Sequence, residues 1–237
     1  MNDSSGHLRK PTLVVASLFL LAACTASPPA IDTGPEAEVT FDGLHEVKNS
    51  RADSAWARPG FDLSGYTRIM LEGAGIEYRP GGESGRTSIS LSRGGPYEVT
   101  EEQKGRLRSV VTQAFHQELG RSEQFEIVNE PGPDVLLVRA SLLDVVSSVP
   151  PEPIGRTEIY LRNVGEATLV IELRDSVTNA ILVRAMDRRA AERPGGAMFE
   201  SNRVTNTTEV RRLAQTWASL LRTRLEELMG RGSAQNE

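Results

Sequence analysis

The side chain best suited to covalent chemistry is Cys24, the one cysteine of the chain. A thiolate is a much stronger nucleophile near neutral pH than a serine hydroxyl without a base beside it. Cys24 closes the run Leu21-Ala22-Ala23-Cys24. The other candidates lack partners. His45 and His116 stand far apart, whereas a metal needs clustered ligands. Asp42, Glu46, Asp53 and Asp62 are the residue type that paired-carboxylate glycoside chemistry uses. They cluster in sequence near the start and read first as turn caps and solvated acids. Gly82-Glu83-Ser84-Gly85 lacks the G-x-S-x-G elbow that exposes a catalytic serine. Gly73-Ala74-Gly75 has no third glycine at dinucleotide spacing and no helix after it, so it reads as a bulge or loop. Arg188, Arg189 and Arg193, near Gly195-Gly196, could fork onto an anionic glycan or lipid head group, or simply end a strand in water. The expectation is a chain without catalytic, metal or cofactor-binding residues and without a cofactor.

What precedes Cys24 gives the run its meaning. Arg9-Lys10 closes a basic leader, and Thr12–Leu21 (TLVVASLFLL) is an apolar stretch too short for a span of about 20 residues. In that setting the run resembles the bacterial lipobox. The resemblance implies that residues 1–23 are a signal peptide, that Ala23 and Cys24 flank the cleavage site, and that Cys24 carries diacylglycerol and an amide-linked chain such as palmitate. Two or more chains hold a protein firmly to a membrane without a transmembrane helix. Thr25 stands where an Asp would retain the protein at the inner membrane. By resemblance to that sorting rule, the implied location is the periplasmic face of the outer membrane. The membrane is then a partner through the lipid.

Removing the first 23 of 237 residues leaves 214, enough for one domain and a linker. Hydrophobic residues make up 38% and charged residues 25%, a globular rather than a disordered balance. The formal charge of −5 argues against nucleic acid, whose binding rests on neutralising phosphates. No thiol follows Cys24, so the folded part has no disulfide and must rely on its core.

Residues 24–37 are rich in Pro, Ala, Ser and Thr and are expected to form a lipidated, flexible tether. A strand is expected at Thr67–Gly73, followed by a polar loop. Thr100 with Gln103 predicts a capping box, and Leu107, Val110, Val111, Ala114, Phe115 and Leu119 follow at helical spacing until Gly120. Strands are expected at Phe125–Val128, Asp134–Ser147, Arg156–Asp175 and Ala180–Arg189, the last two joined by a turn at Asp175–Asn179. That hairpin would place Glu172 opposite Arg184, a pair worth at most about 1 kcal/mol. A final helix, Thr208–Met229, carries an apolar stripe from Val210 to Leu228 with Trp217 in its middle. The predicted fold is α+β: a mixed or antiparallel sheet of about five strands with two amphipathic helices on one face. It would occupy residues 38–230, leaving 231–237 as a disordered tail.

Several stretches together resemble a family of bacterial lipoproteins catalogued as domain of unknown function 3313. They are Phe41-Asp42-Gly43-Leu44, Trp56-Ala57-Arg58-Pro59, Asp62-Leu63-Ser64-Gly65-Tyr66, Asp134-Val135-Leu136 after a Pro-Gly-Pro turn, and Trp217-Ala218 with Leu220-Leu221. The likeness covers roughly residues 40–230 and brings no catalytic residues with it. The expected function is a non-catalytic, lipid-anchored envelope protein with an interaction or assembly role, possible partners including another envelope protein. The alternative is a binding module for an envelope lipid or glycan, and a third reading is an envelope hydrolase. A deep apolar cavity of several hundred Å³ would favour lipid binding. Phe41, Trp56, Phe61 and Tyr66 could form an interaction surface or pack the leading segment onto the domain edge.

Overall fold

In the computed structural model, which describes residues 27–79, 97–150 and 158–230, most element boundaries follow from local sequence signals. The expected signal peptide, the site at Ala23 and Cys24, the Gly82–Gly85 motif and the tail at 231–237 lie outside those residues. Helix α1 (Glu101–Leu119) starts as predicted. Gln103 N–H donates to Thr100 Oγ1 at 3.3 Å, and Thr100 N–H donates to Gln103 Oε1 at 2.8 Å. Gly120 ends it without entering the left-handed region, at φ −68°. A Cβ there would sit 2.9 Å from the His116 carbonyl oxygen, so the position needs glycine for room. Helix α2 (Arg203–Gly230) begins one turn before the predicted Thr208. Its first turn is polar and carries no stripe to read. Asn202 secures it, its side-chain oxygen accepting from the N–H groups of Val204 and Thr205 at 3.0 Å each.

The strands are β1 (Ala30–Ile31), β2 (His45–Lys48), β3 (Ser54–Ala57), β4 (Arg68–Tyr78), β5 (Glu126–Val128), β6 (Val135–Ser147), β7 (Tyr160–Leu161), β8 (Asn163–Asp175), β9 (Ile181–Glu192) and β10 (Phe199–Glu200). Among the described residues eight form one sheet in the order β1-β2-β3-β9-β8-β6-β4-β5, and β7 pairs with β10 apart from it. β4 runs parallel to β5 and β6, and the other neighbours are antiparallel. The α+β architecture with a mixed sheet and two helices is as predicted, but the sheet has eight strands rather than five. The three additional strands are β1, β2 and β3, each too short to show alternation. They come from the leading segment. Ala30 and Ile31, expected within the tether, pair with Lys48 and Val47. β4 also continues past the predicted Gly73, because Gly73-Ala74-Gly75 forms a bulge against β6 rather than a stop.

Alternation sorts the sheet into two faces. Leu136, Val138 and Leu142 of β6 and Leu169, Ile171 and Leu173 of β8 are buried against Phe115 and Leu119 of α1 and Trp217, Leu225 and Met229 of α2. Trp217 is 4% exposed, and its indole N–H donates to Asp187 Oδ2 at 2.6 Å. The β8–β9 turn closes as predicted. Asn179 takes φ 59°, and the Asp175 carboxylate accepts from Thr178 N–H at 2.7 Å.

The opposite face carries a cross-strand row of alternating charge. Glu72, Arg139, Glu172 and Arg184 occupy matched positions on β4, β6, β8 and β9, with Trp56 of β3 next in line. Arg184 Nε donates to Glu172 at 2.9 Å, the pair expected from the sequence, and Arg174 adds a second contact at 2.6 Å. Burial pushes the Glu172 carboxyl up, but Arg174 and Arg184 outweigh it and hold the group below its usual range.

One pair pins the start of the parallel ladder. Arg68 Nε donates to Asp134 Oδ2 at 2.8 Å, its Nη2 contacts the other oxygen, and Thr67 Oγ1 donates at 3.0 Å. The Arg68 contact lowers the Asp134 pKa to about 2. A depressed carboxylate pKa stabilises the fold above the unfolded value of about 3.9, and the contribution fades as pH falls toward the folded value. Wild type should therefore exceed Asp134→Asn in melting temperature above about pH 4, with the difference vanishing near pH 2. A difference that persists unchanged to pH 2 would contradict this.

Candidate functional site

The four acids of the leading segment are not brought together as a catalytic pair. Asp42 contacts Arg184 at 2.6 Å, and the hydrogen bond from Thr40 holds its carboxyl below the usual range, assisted by Arg184 against the effect of burial. Glu46 pairs with Lys48, Asp53 accepts from the Arg188 backbone N–H at 2.7 Å, and Asp62 caps Ser64 at 2.9 Å. Each carboxylate already serves a turn, a strand or a neighbouring cation. His45 Nδ1 lies 2.8 Å from the Asp32 carbonyl oxygen, which fixes the proton on that nitrogen. His116 is exposed on α1. Among the described residues no three His, Cys, Asp or Glu side chains are grouped to hold a metal.

The arginine cluster is also occupied. Arg188 contacts Asp144 and Glu166 at 2.8 Å each, and Arg189 contacts Asp187 at 2.5 Å. Arg193 reaches Glu209 at 3.3 Å and lies 5.0 Å from the Phe199 ring centre. Glu209 itself is 1% exposed and also contacts Arg212. These contacts staple the β9 end to α2 instead of presenting free cations to an anion.

Of the leading aromatics, Phe61 and Tyr66 pack against the core. Burial, then the hydrogen bond to Asp175 at 2.8 Å, pushes the Tyr66 phenol up to about 12. Phe41 departs from the packing reading, being 98% exposed. It sits on a closed turn in which Thr40 N–H donates to Leu44 O at 2.8 Å and Gly43 adopts φ 78°.

A concave feature lies between the N-terminal halves of α1 and α2 and the adjoining ends of β6 and β8. It is a cavity of about 680 Å³, with Leu107 and Val110 of α1, Val145 of β6, and Val210, Leu213 and Trp217 of α2 in its wall. A second, of about 470 Å³, lies against α1, β4 and β6, walled by Leu71, Ile76, Phe115 and Val138. Both volumes fall in the range of about 300–1,000 Å³ usual for small-molecule sites. Several polar residues of the larger wall are engaged within the chain. Thr100 and Gln103 cap α1, Asn202 caps α2, and Asn206 donates to Ser201 at 3.0 Å. Between these polar residues the helix faces present Leu107, Val110, Val210, Leu213 and the Trp217 ring, a surface suited to hydrocarbon.

The sequence did not reveal this cavity. Leu107, Val110, Val210 and Leu213 read as core, yet they are only half-buried, while Phe115, Leu119, Leu225 and Met229 further along the same helices are sealed. A stripe has the same spacing whether protein or a ligand covers it.

Among solved structures, a protein of the DUF330 family from Xanthomonas campestris is similar over 76% of this chain and 93% of its own, at 12% identity and a TM-score of 0.41. A PelC dodecamer from Paraburkholderia phytofirmans is similar over 68% of this chain and 96% of its own, at 10% identity and 0.29. A minor lipoprotein from Acinetobacter baumannii is similar over 67% and 94%, at 13% identity and 0.28. At these values the likeness does not extend to function. No curated protein matches the chain in sequence. A family model matches residues 37–221, which take in most of the sheet, all of α1 and most of α2. The chain therefore belongs to the family described as Protein of unknown function (DUF3313).

Proposed function

We propose that this protein is a lipid-anchored, non-catalytic component of the bacterial cell envelope that shelters an apolar group in its helix–sheet cavity. The observation that carries the reading is the cavity of about 680 Å³ lined by Leu107, Val110, Val210, Leu213 and Trp217. Burial of hydrocarbon against such a wall is favourable by about 0.8 kcal/mol per CH₂. No described helix is long and apolar enough to cross a membrane, so the anchor in this reading is the lipid on Cys24. With Thr25 next to it, the chain would sit on the periplasmic face of the outer membrane.

Organic extraction of the purified full chain, followed by mass spectrometry, tests the binding. Noncovalent lipid should accompany the wild type and fall severalfold when Val210→Trp and Leu107→Trp fill the cavity. Equal lipid in both proteins would refute the reading. The anchor has its own test: Cys24→Ser should take up no radioactive fatty acid and persist as the longer precursor, because the hydroxyl lacks the thiolate's reactivity. Label equal to wild type would remove the lipoprotein assignment.

A second reading, interaction with another envelope protein, is favoured by Phe41. Its ring is 98% exposed and is held on a hydrogen-bonded turn, where a partner's pocket could receive it.

A further inference from the structure

The chain enters the sheet from one end. β1 pairs with β2, β2 with β3 and β3 with β9, each antiparallel, so β1 runs opposite to β9. What precedes Ala30 therefore approaches from the end where β9 finishes at Glu192. The six peptide steps from Cys24 to Ala30 reach at most about 22 Å. By the same pairings Ala30 stands about level with Met186, and the six residues from there to Glu192 rise about 20 Å. The two lengths match, so a bilayer that holds Cys24 lies within reach of the β9 end of the domain.

That end displays apolar side chains. Tyr160 of β7, Met198 just before β10 and Val204 in the first turn of α2 are each more than half exposed. The backbone ties their segments together. Tyr160 lies opposite Glu200 in the β7–β10 pair, and Thr205 Oγ1 donates to the Glu200 carbonyl oxygen at 2.6 Å. The Tyr160 hydroxyl donates to Glu158 at 3.1 Å, which leaves its ring as the apolar body of an amphipathic side chain. Charge adds little attraction for an anionic surface, since exposed Arg162 and Arg203 stand among exposed Glu158, Glu192 and Glu200.

We infer that the domain stands on the bilayer that holds Cys24, β9 end down, with Tyr160, Met198 and Val204 set among the lipid head groups. This rests on the lipid-anchor reading above. Ile159, Asn202 and Arg203 of the same end are also in the wall of the cavity of about 680 Å³, so the cavity borders the bilayer. The β8–β9 turn with exposed Val177, and the turn with Phe41 that leads into the lower end of β2, face away from the lipid.

Depth-dependent quenching tests this orientation. Cys24 is the one cysteine of the chain, and its thiol is consumed by lipidation, so an introduced cysteine is the single site for an environment-sensitive fluorophore. Met198→Cys, Val204→Cys and Val177→Cys, all at exposed positions, are purified as lipidated full chains and placed in vesicles of phosphatidylethanolamine with a minority of phosphatidylglycerol. A nitroxide phospholipid should quench the labels at 198 and 204 severalfold more than the label at 177, and added salt should leave the difference unchanged. Inserting about twelve Gly and Ser residues after Ala26 adds a coil of roughly 20 Å and should lower the quenching at 204 severalfold. If the lipidated chains float with the vesicles yet 198 and 204 are quenched no more than 177, the docking is overturned. Loss of the difference in salt would overturn its apolar basis, and quenching untouched by the insertion would overturn the role of the short link. If mass spectrometry finds no lipid on Cys24, or the chains do not float, the anchor reading falls and takes this inference with it.

Discussion

Trp217→Ala is expected to lower stability by about 3–5 kcal/mol, the usual loss for a core aromatic. The ring is 4% exposed, in the middle of α2, and its indole N–H is bonded to Asp187 at 2.6 Å. Truncation removes the packing between α2 and the sheet, enlarges the cavity the ring helps to wall, and leaves Asp187 with Arg189 at 2.5 Å. A single domain is commonly stable by only about 5–15 kcal/mol, so the variant should be marginal. Trp217→Phe separates the two contributions. It keeps most of the ring and forfeits a hydrogen bond to a charged acceptor, about 1.5–3 kcal/mol. Denaturant melts of the three proteins give the comparison. A midpoint unchanged by Trp217→Ala, together with red-shifted native tryptophan emission, would mean that α2 is not seated as described.

Gly165→Ala should be comparably severe, for a reason unrelated to apolar burial. A Cβ on Gly165 would lie 2.1 Å from the Val146 carbonyl oxygen and 3.3 Å from Ser147 Cα. Both are backbone atoms of the neighbouring strand, so no rotamer change relieves the clash. β6 and β8 would have to part where Ser147 faces Gly165 and Val146 faces Glu166. Overpacking typically costs about 1–3 kcal/mol, and losing the end of the ladder places this change at or above the upper limit. Gly73→Ala is the control. Nothing lies within 4 Å of a Cβ there, so the same added methyl should be nearly neutral. Urea melts read both, and equal midpoints for the two variants would contradict the close approach at Gly165.

Much of the scaffold was legible because it rests on local signals. The Thr100–Gln103 capping box, the alternating Leu169, Ile171 and Leu173, and the Asp175–Asn179 turn each carry their own instruction within a few residues. β2 and β3 carry none. Ser54–Ala57 becomes a strand because β9 offers it a ladder, a contact between residues distant in sequence. The candidate site was less visible still. Val110 and Val210 are unremarkable members of apolar stripes, and only the packing of two helices on the sheet decides that their halves of the stripes stay open. The arginines near Gly195 left two readings open, an anion site or a strand end, and the choice depends on Asp144, Glu166 and Glu209, which reach them from β6, β8 and α2, and on Asp187 of β9 itself.

The row of charges on the face opposite the helices also selects against mispaired sheets. A strand that slips by one residue turns its apolar side outward and is rejected by the core, but a slip by a full pleat period keeps that side inward. Such a slip between β8 and β9 in one direction would set Arg174 opposite Arg184 in place of the Glu172 partnership. The corresponding slip between β6 and β8 would set Arg139 opposite Arg174. Like charges directly opposite are destabilising. Hydrophobic burial thus chooses which side of each strand faces the helices, and the Glu72–Arg139–Glu172–Arg184 row discriminates among the alignments that burial alone would leave nearly degenerate.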